Sequence, residues 1–179
     1  MYFNGLGEFF YINHIETDNE SFMDITTSGK AITGEQDTGK YHGNLIPVGG
    51  GKDSFVSLSI LVEMKKDNHA FVINKVMSAV HSAEAAGYTG EYLINPIRTL
   101  DSRMLELNKQ GYLNGHTPFS AMAAFASVIT SIVYEKEYIC LSNEASANES
   151  TIKGSKVNHQ YSKTFEFEDD FKFYMDHYI

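Results

Sequence analysis

From Asn44 onward, short apolar runs alternate with longer segments of helical periodicity. Four runs predict buried strands: LIPV at 45–48, HAFVIN at 69–74, EYLINPI at 91–97 and EYICLS at 137–142. The segments between them predict helices at 53–64, at 75–87, at 99–111 and behind Thr117-Pro118. Strands that alternate with helices in this way are typical of an α/β fold with a parallel sheet flanked by helices.

Three of the predicted helices carry patterns that indicate how they pack. Residues 53–64 are apolar on nearly all sides, which is typical of a buried helix. Thr117 and Pro118 suit the N-cap and the first position of the next long helix. Its apolar stripe predicts a side that faces the core: Phe119, Met122, Ala126, Ile129 and Val133. A last amphipathic helix is predicted from Phe165 onward, with acidic residues near its positive end.

The N-terminal part of the chain is aromatic and resembles β-structure. Phe9, Tyr11 and Ile15 predict one strand, residues 21–28 predict a second, and TDNE between them offers turn chemistry. We therefore expect a small β appendage at residues 1–43 and one main domain at residues 44–179, which could itself be part of a longer protein.

Composition limits the classes of partner. The formal net charge of -9 argues against a nucleic-acid groove and against an anionic membrane surface. No apolar segment approaches the roughly 20 residues of a membrane helix, and the first residues lack the features of a signal peptide. The single cysteine, Cys140, lies in an apolar run and fits a reducing compartment. We expect a soluble, cytoplasmic protein.

The main candidate binding residues lie between the first predicted strand and the first long predicted helix, in the sequence VGGGKDS. Three glycines, Gly49, Gly50 and Gly51, let backbone N–H groups turn towards one point, and the helix start adds partial positive charge. Lys52 adds a cation and Ser54 a hydroxyl. Asp53 would repel a phosphate unless it also holds a metal ion, so we expect a magnesium-bound triphosphate, with Asp53 as a metal ligand.

Two common phosphate-binding motifs do not fit this stretch. A Walker A loop has Ser or Thr directly after Gly-Lys, and here Asp53 follows Lys52. The dinucleotide fingerprint requires a glycine where this chain has Ser54. The simplest alternative is structural, with Asp53 and Ser54 acting as the cap of a buried helix.

GGGKDS resembles the signature Ser-Gly-Gly-x-Asp-Ser of the PP-loop ATP pyrophosphatases, with Gly49 in place of the first serine. The resemblance implies an adenine-nucleotide α-hydrolase-like fold. It also implies that ATP and Mg²⁺ are bound, that ATP is cleaved between its α and β phosphates, and that AMP is transferred to a substrate oxygen. The superfamily leaves the position of Lys52 variable.

A narrower resemblance covers roughly residues 44–163. VGGGKDS followed by NGHTP, LSNEASAN and VNHQYSK resembles the UDP-N-acetylmuramoyl-L-alanyl-L-glutamate epimerase family of peptidoglycan precursor synthesis. It implies that a glutamate carboxylate is activated as an acyl-adenylate, after which the α-proton is removed and returned to the other face. Such a reaction needs donors for the developing enolate and one or two bases.

Residues at the carboxyl ends of the predicted strands are the next candidates, because ligands bind at that edge of a parallel sheet. Asn74 follows the second strand and is expected to contact the nucleotide. Asn143 and Glu144 follow the fourth strand and suit substrate binding and catalysis, respectively, unless they form a polar turn. Asn148 and Glu149 in the same loop are weaker candidates.

Two histidines complete the catalytic candidates. His116 precedes a helix start and His159 lies in the VNHQYSK segment, and either could transfer a proton or be an ordinary loop residue. Three basic residues could bind a substrate carboxylate or phosphate, or make surface ion pairs: Arg98, Lys156 and Lys163.

Three functions remain compatible with these residues. The first is the ATP-dependent epimerase, acting on a small molecule or a nucleotide-peptide. The second is another adenylating ligase or amidotransferase of the PP-loop type. The third is a non-catalytic nucleotide-binding module, which the glycine at position 49 favours.

Overall fold

A computed structural model describes residues 1–30, 39–115, 117–155 and 157–179. The chain folds into two compact units, each built from separate stretches of sequence. The first, here called the sheet unit, contains residues 39–105 and 120–144. The second, here called the helical unit, contains the described residues of 1–38, 106–119 and 145–179. The predicted boundary between residues 43 and 44 stays a prediction.

The sheet unit confirms the predicted α/β fold with a parallel sheet. Its four strands are β1 (Asn44–Pro47), β2 (Asn68–Phe71), β3 (Leu93–Ile94) and β4 (Tyr138–Ile139). They are all parallel, in the order β3-β2-β1-β4. The buried Nδ2 of Asn44 donates to Oδ1 of Asn68 at 2.7 Å, between two residues that are partners in the register of β1 and β2.

Seven α-helices lie in the described residues. They are α1 (Tyr2–Gly5), α2 (Gly7–Ile12), α3 (Lys52–Leu61), α4 (Met77–Ala85), α5 (Ser102–Lys109), α6 (Phe119–Val133) and α7 (Phe165–Tyr178). Short 3-10 turns occur at Val62–Asp67, Ile73–Lys75, Gly90–Tyr92, Ala145–Asn148 and Tyr161–Lys163. None of the helices in these residues combines the length and the apolar character needed to cross a membrane.

Helices cover both faces of the sheet. Ile46 of β1 packs with Leu58 of α3 and Ala83 of α4 in one apolar cluster. Leu45, the preceding residue, packs in a second cluster on which Ala126 of α6 lies. Because successive side chains of a strand point to opposite faces, α3 and α4 lie on one face and α6 on the other.

The strands predicted near the N-terminus are wrong. Residues 2–12 form α1 and α2, and residues 21–28 form no strand. The rings of Phe3 and Phe10, seven residues apart, have centroids 5.6 Å apart, and both rings contact Phe22. Phe3 of α1 and Phe10 of α2 thus pack on each other and on Phe22 of the following segment, an arrangement of short helices rather than of an alternating strand.

The predicted packing of two helices also needs correction. In α6 the buried residues are the small ones, Ala124, Ser127, Val128 and Ser131, whereas the predicted stripe residues Ile129 and Val133 are 67% and 69% exposed. Small side chains let α6 lie close to the sheet, and its larger side chains therefore point outward. In α3 only Ser54 and Leu58 are buried, although the sequence predicts burial on all sides.

Candidate functional site

The glycine loop joins the end of β1 to the start of α3 and lies against the start of α4. Gly50 has a left-handed φ of +84°, and a Cβ there would lie 2.6 Å from Ser78 Oγ and 2.8 Å from the backbone N of Ala79. Gly49 and Gly51 have no heavy atom within 4 Å of a built Cβ. The loop therefore needs glycine at position 50 and leaves open space beside its neighbours.

Backbone donors are available around this loop. Among the described residues, no hydrogen bond uses the N–H groups of Gly49, Gly50 or Gly51. The N-caps of α3 and α4 are Gly51 and Val76, and neither makes a side-chain capping bond. Free N–H groups beside two helix starts are a favourable environment for an anion.

The three polar residues of the motif differ in their surroundings. The buried Ser54 donates its hydroxyl to the carbonyl of Gly51 at 3.0 Å. Lys52 is exposed. The carboxylate of Asp53 has no hydrogen bond or ion pair with any described residue, so the alternative in which Asp53 caps α3 finds no support. A carboxylate without a partner, beside an anion cradle, suits a divalent cation carried by a phosphate.

The loop after β4 reaches the start of α3. Ser142 Oγ lies 2.7 Å from Ser57 Oγ, and Glu144 makes an ion pair with Lys52 at 3.7 Å. The chain runs from β1 through β2 to β3 on one side, whereas β4 pairs with the other side of β1. The carboxyl ends of β1 and β4 thus flank the point where the strand order reverses, which is the usual ligand site of open α/β sheets.

Ser142 lies beside the candidate site and was not singled out from the sequence. Its position after a predicted strand was a signal, but its contact with Ser57 depends on the pairing of β4 with β1, which the sequence does not specify. Asn143, between Ser142 and Glu144, is exposed. Its predicted role in substrate binding stays a prediction.

Asn74 and Arg98 lie together in the sheet unit, at the ends of β2 and β3. The backbone N–H of Arg98 donates to Oδ1 of Asn74, and the N–H of Asn74 donates to the carbonyl of Pro96 at 2.9 Å. Asn74 adopts a left-handed conformation, with φ 59°. The side chain of Asn74 thus joins two loops, and its predicted contact with the nucleotide stays a prediction.

The remaining described candidates belong to the helical unit. Nδ1 of His159 lies 2.6 Å from the hydroxyl of Thr151, which also accepts the backbone N–H of His159 at 3.1 Å. Lys163 is exposed at the end of a 3-10 turn. Asn148, the weaker candidate, accepts the N–H of Phe165, which indicates a structural role. His116 and Lys156 lie outside the described residues.

Among the described residues, Cys140 and the possible metal ligands give no second candidate site. Cys140 packs against the core cluster of the sheet unit, and burial raises the pKa of its thiol, as expected of a small core residue. In the part of the chain that the structure describes, no three His, Cys, Asp or Glu side chains come together as a metal site. A cation at the glycine loop would therefore depend on Asp53 and on the oxygens of its ligand.

Comparison with known proteins agrees with the narrower resemblance. Residues 1–179 match the sequence model of the family described as MurL N-terminal domain. The chain belongs to this family. No solved structure matches it.

Three curated relatives of this MurL N-terminal domain are each named UDP-N-acetyl-alpha-D-muramoyl-L-alanyl-L-glutamate epimerase. The protein of Xanthomonas oryzae pv. oryzae (strain MAFF 311018) is 32% identical over 185 residues, covering 100% of the chain and 39% of the relative. That of Micromonospora sp. (strain ATCC 39149 / NRRL 15099 / SCC 1413) is 32% identical over 94% of the chain and 37% of its own length. That of Salinispora tropica (strain ATCC BAA-916 / DSM 44818 / JCM 13857 / NBRC 105044 / CNB-440) is 37% identical over 69% of the chain. The chain thus spans less than two fifths of the length of these relatives.

Proposed function

We propose that the chain supplies the ATP-binding part of an epimerase that inverts the L-glutamate of UDP-N-acetylmuramoyl-L-alanyl-L-glutamate in peptidoglycan precursor synthesis. The observation that carries the proposal is the ion pair of Lys52 with Glu144, because it places a carboxylate beside the glycine loop at the switch point of the sheet. The names of the relatives support the substrate. The resemblance of GGGKDS to the PP-loop signature supports ATP.

The site fits a magnesium-bound triphosphate. The N–H groups of Gly49, Gly50 and Gly51 would receive the phosphates, Lys52 would neutralise their charge, and Asp53 would hold the Mg²⁺ ion. The metal would draw charge from the phosphate oxygens and make pyrophosphate a better leaving group.

Adenylation explains why an epimerase would consume ATP. A substrate carboxylate oxygen attacks the α-phosphorus, the bond to the β-phosphate oxygen breaks, and pyrophosphate leaves with the negative charge. The resulting acyl-adenylate is ester-like, so its α-proton is far easier to remove than that of a carboxylate. A base takes the α-proton, a proton returns to the opposite face, and water cleaves the anhydride to give the epimeric carboxylate and AMP.

The candidate residues divide between proton transfer and binding. Glu144, His116 and His159 are the proposed proton-transfer residues, since carboxylate and imidazole side chains are the usual general acids and bases. The groups proposed to bind the carboxylates and phosphates of the substrate are Arg98, Asn143, Lys156 and Lys163. Asn74 is proposed to contact the nucleotide. The nucleotide-linked substrate and ATP place the reaction in the cytoplasm.

The test has a binding arm and a turnover arm. Binding of pyrophosphate and of magnesium-ATP to the chain is measured by calorimetry for the wild type, Asp53→Asn and Lys52→Ala. The turnover arm incubates ATP, Mg²⁺ and the L,L-nucleotide peptide with the chain, alone and joined to the remaining polypeptide of the Xanthomonas relative. It follows pyrophosphate release and the chirality of glutamate.

We expect magnesium-dependent binding that Asp53→Asn weakens at least ten-fold, and substrate-dependent release of pyrophosphate together with D-glutamate. Nucleotide binding that Asp53→Asn leaves unchanged would contradict the site. Pyrophosphate release with a stable amide product would favour the ligase, and binding without turnover in either protein would favour the non-catalytic module.

A further inference from the structure

The side of α3 that points away from the sheet carries an uncovered apolar surface. Leu58 is fully buried, whereas Val56 and Ile60 on the opposite side of the helix are 55% and 71% exposed. Phe55 and Val62, three and four positions from Leu58 and so nearer its side, are 41% and 39% exposed. Residues three and four apart are neighbours on a helix surface, so Val56 and Ile60 form one apolar surface, here called the α3 patch.

The α3 patch differs from the scattered apolar residues of an ordinary surface. Between Asp53 and Glu63 the chain contains no charged residue, so α3 lacks the charged side of a helix that faces water. Its sequence is that of a helix covered on two sides, and the sheet unit covers one of them. A second element packed on α3 would bury its other side.

The relatives indicate what covers the α3 patch. The matched family is described as an N-terminal domain, and the chain spans 39% of the Xanthomonas relative, so about three fifths of that protein lies outside the match. A second copy of this chain is a poorer occupant, because each copy carries a formal net charge of -9 and the two would repel.

We propose that the α3 patch is the docking surface for polypeptide equivalent to the part of these relatives outside the match. Ile60 follows Asp53 by two helical turns, about 10 Å along the helix axis. A segment held there would lie near the glycine loop and could contribute side chains to the same site. The proposal is based on the exposure of the α3 patch and on the uncharged sequence of α3. Its outcome does not depend on whether the site uses ATP.

The chain offers a matched pair of positions for the test. Ile60 and Ile25 are 71% and 70% exposed, and Ile25 belongs to the helical unit whereas Ile60 belongs to the sheet unit. Ile60→Cys and Ile25→Cys are made separately in a Cys140→Ser background. Their rates of reaction with a maleimide are measured in the 179-residue chain and in a fusion with the remaining polypeptide of the Xanthomonas relative after Ile179.

Both positions should react at similar rates in the chain alone. In the fusion, the rate at position 60 should fall at least ten-fold and the rate at position 25 should stay unchanged. An unchanged rate at position 60 in a folded fusion would overturn the proposal. So would protection of position 60 in the chain alone that grows with concentration, because a second copy would then cover the patch.

A second measurement keeps the proposal testable if the fusion does not fold. The remaining polypeptide is produced separately and titrated against the wild-type chain, Ile60→Lys and Ile25→Lys. We expect Ile60→Lys to weaken association at least ten-fold relative to Ile25→Lys. Equal association of the two variants, or no association with any of the three chains, would count against the docking surface.

Discussion

The Nζ atom of Lys52 lies 3.7 Å from the carboxylate of Glu144, although the two residues follow different strands of the sheet. The pair joins the glycine loop to the loop after β4, and the contact between Ser57 and Ser142 supports it one helical turn further on. Both charged side chains are largely exposed, so the ion pair contributes little to stability. Its importance is electrostatic, because Glu144 partly cancels the charge with which Lys52 would attract a phosphate.

Replacing Glu144 by Gln should therefore strengthen phosphate binding while it removes a candidate base. We expect Glu144→Gln to bind pyrophosphate about two- to five-fold more tightly at low ionic strength, with the gain shrinking as salt screens the charges. The free energy of unfolding should change by less than about 0.5 kcal/mol. Calorimetric titrations at several salt concentrations measure the first effect, and chemical denaturation measures the second.

Glu106→Gln is the matched control, since Glu106 makes an exposed ion pair with Lys109 within α5. It removes one negative charge of similar exposure without touching the glycine loop. Equal gains in pyrophosphate affinity from Glu144→Gln and Glu106→Gln would mean that net charge, rather than the contact with Lys52, sets the affinity.

Gly50→Ala should destabilise the sheet unit. The added Cβ would meet Ser78 Oγ at 2.6 Å and the backbone N of Ala79 at 2.8 Å, and the φ of +84° is costly for any residue with a Cβ. We expect a loss of about 1–3 kcal/mol in the free energy of unfolding, measured by chemical denaturation. Gly51 has φ -91°, and a Cβ there would meet no heavy atom within 4 Å. A similar loss of unfolding free energy in Gly51→Ala would therefore contradict the role of the Cβ contacts and of the left-handed φ at Gly50.

Gly49→Ser would restore the serine of the PP-loop signature. A Cβ at position 49 has no heavy atom within 4 Å, and the residue does not have a left-handed φ, so the substitution should be tolerated within about 0.5 kcal/mol. If the loop holds phosphate, the new hydroxyl should tighten pyrophosphate binding by about 0.5–1.5 kcal/mol, or roughly two- to ten-fold. Gly49→Ala is the control that adds the Cβ without the hydroxyl, and equal affinities of the two variants would contradict the phosphate contact.

The sequence predicted the sheet unit well because its signals there are local. Alternating runs specify the order of strands and helices, and the parallel arrangement follows from that order. The glycine loop was recognised from three consecutive glycines between a predicted strand and a predicted helix, and Gly50 there has a left-handed φ of +84°. The last helix, predicted from Phe165 onward, is α7, and its N-cap is also local, since Thr164 accepts the N–H of Phe167 three residues later.

What the sequence could not predict depends on contacts between distant segments. The contact of Ser142 with Ser57 requires β4 to pair with β1 rather than with β3, and no local pattern encodes that choice. The buried side of α6 was predicted wrongly. Large apolar side chains such as Ile129 were expected to be buried, whereas the small Ser127 is buried and Ile129 is exposed. The contact of Phe3 with Phe22 likewise joins residues 19 positions apart, in a segment where aromatic content suggested strands and the structure has helices.

His69 should make stability sensitive to mild acid. Burial of the ring is the main cause that lowers the pKa of His69, and the positive charge of Lys136 lowers it further. The negative charge of Glu91 raises it, but less than burial lowers it. The folded state therefore binds a proton less readily than the unfolded state. The contribution of neutral His69 to the free energy of unfolding is fully present above the unfolded pKa of about 6.5. It decreases as the pH falls below that value.

His69→Phe tests this pH dependence, because its ring can occupy the place of the imidazole near Tyr92 and Tyr134 without titrating. We expect a shallower loss of unfolding free energy between about pH 7 and pH 5 than in the wild type, measured by denaturation at each pH. His81→Gln is the control, since His81 is exposed on α4. If His81→Gln flattened the profile as much as His69→Phe, the effect would not belong to His69.

Thr151 should determine the tautomer of neutral His159. Its hydroxyl oxygen accepts the backbone N–H of His159, and Nδ1 of the same histidine lies 2.6 Å away, so we expect the hydroxyl to donate there. A neutral His159 then carries its proton on Nε2. His177 provides an internal reference of the opposite kind, because its Nδ1 lies 2.8 Å from the carbonyl of Phe173, which can only accept.

Long-range proton–nitrogen spectra distinguish these two forms in one sample. Thr151→Val, which keeps the shape and loses the hydroxyl, should shift the Nδ1 resonance of His159 and leave His177 unchanged. It should also raise amide exchange at His159 about two- to ten-fold, the loss expected for one exposed hydrogen bond of roughly 0.5–1.5 kcal/mol. Thr151→Ser should preserve both signals. An unchanged His159 spectrum in Thr151→Val would show that the threonine does not set its tautomer, and His159 would then need another partner to act as a directed acid or base.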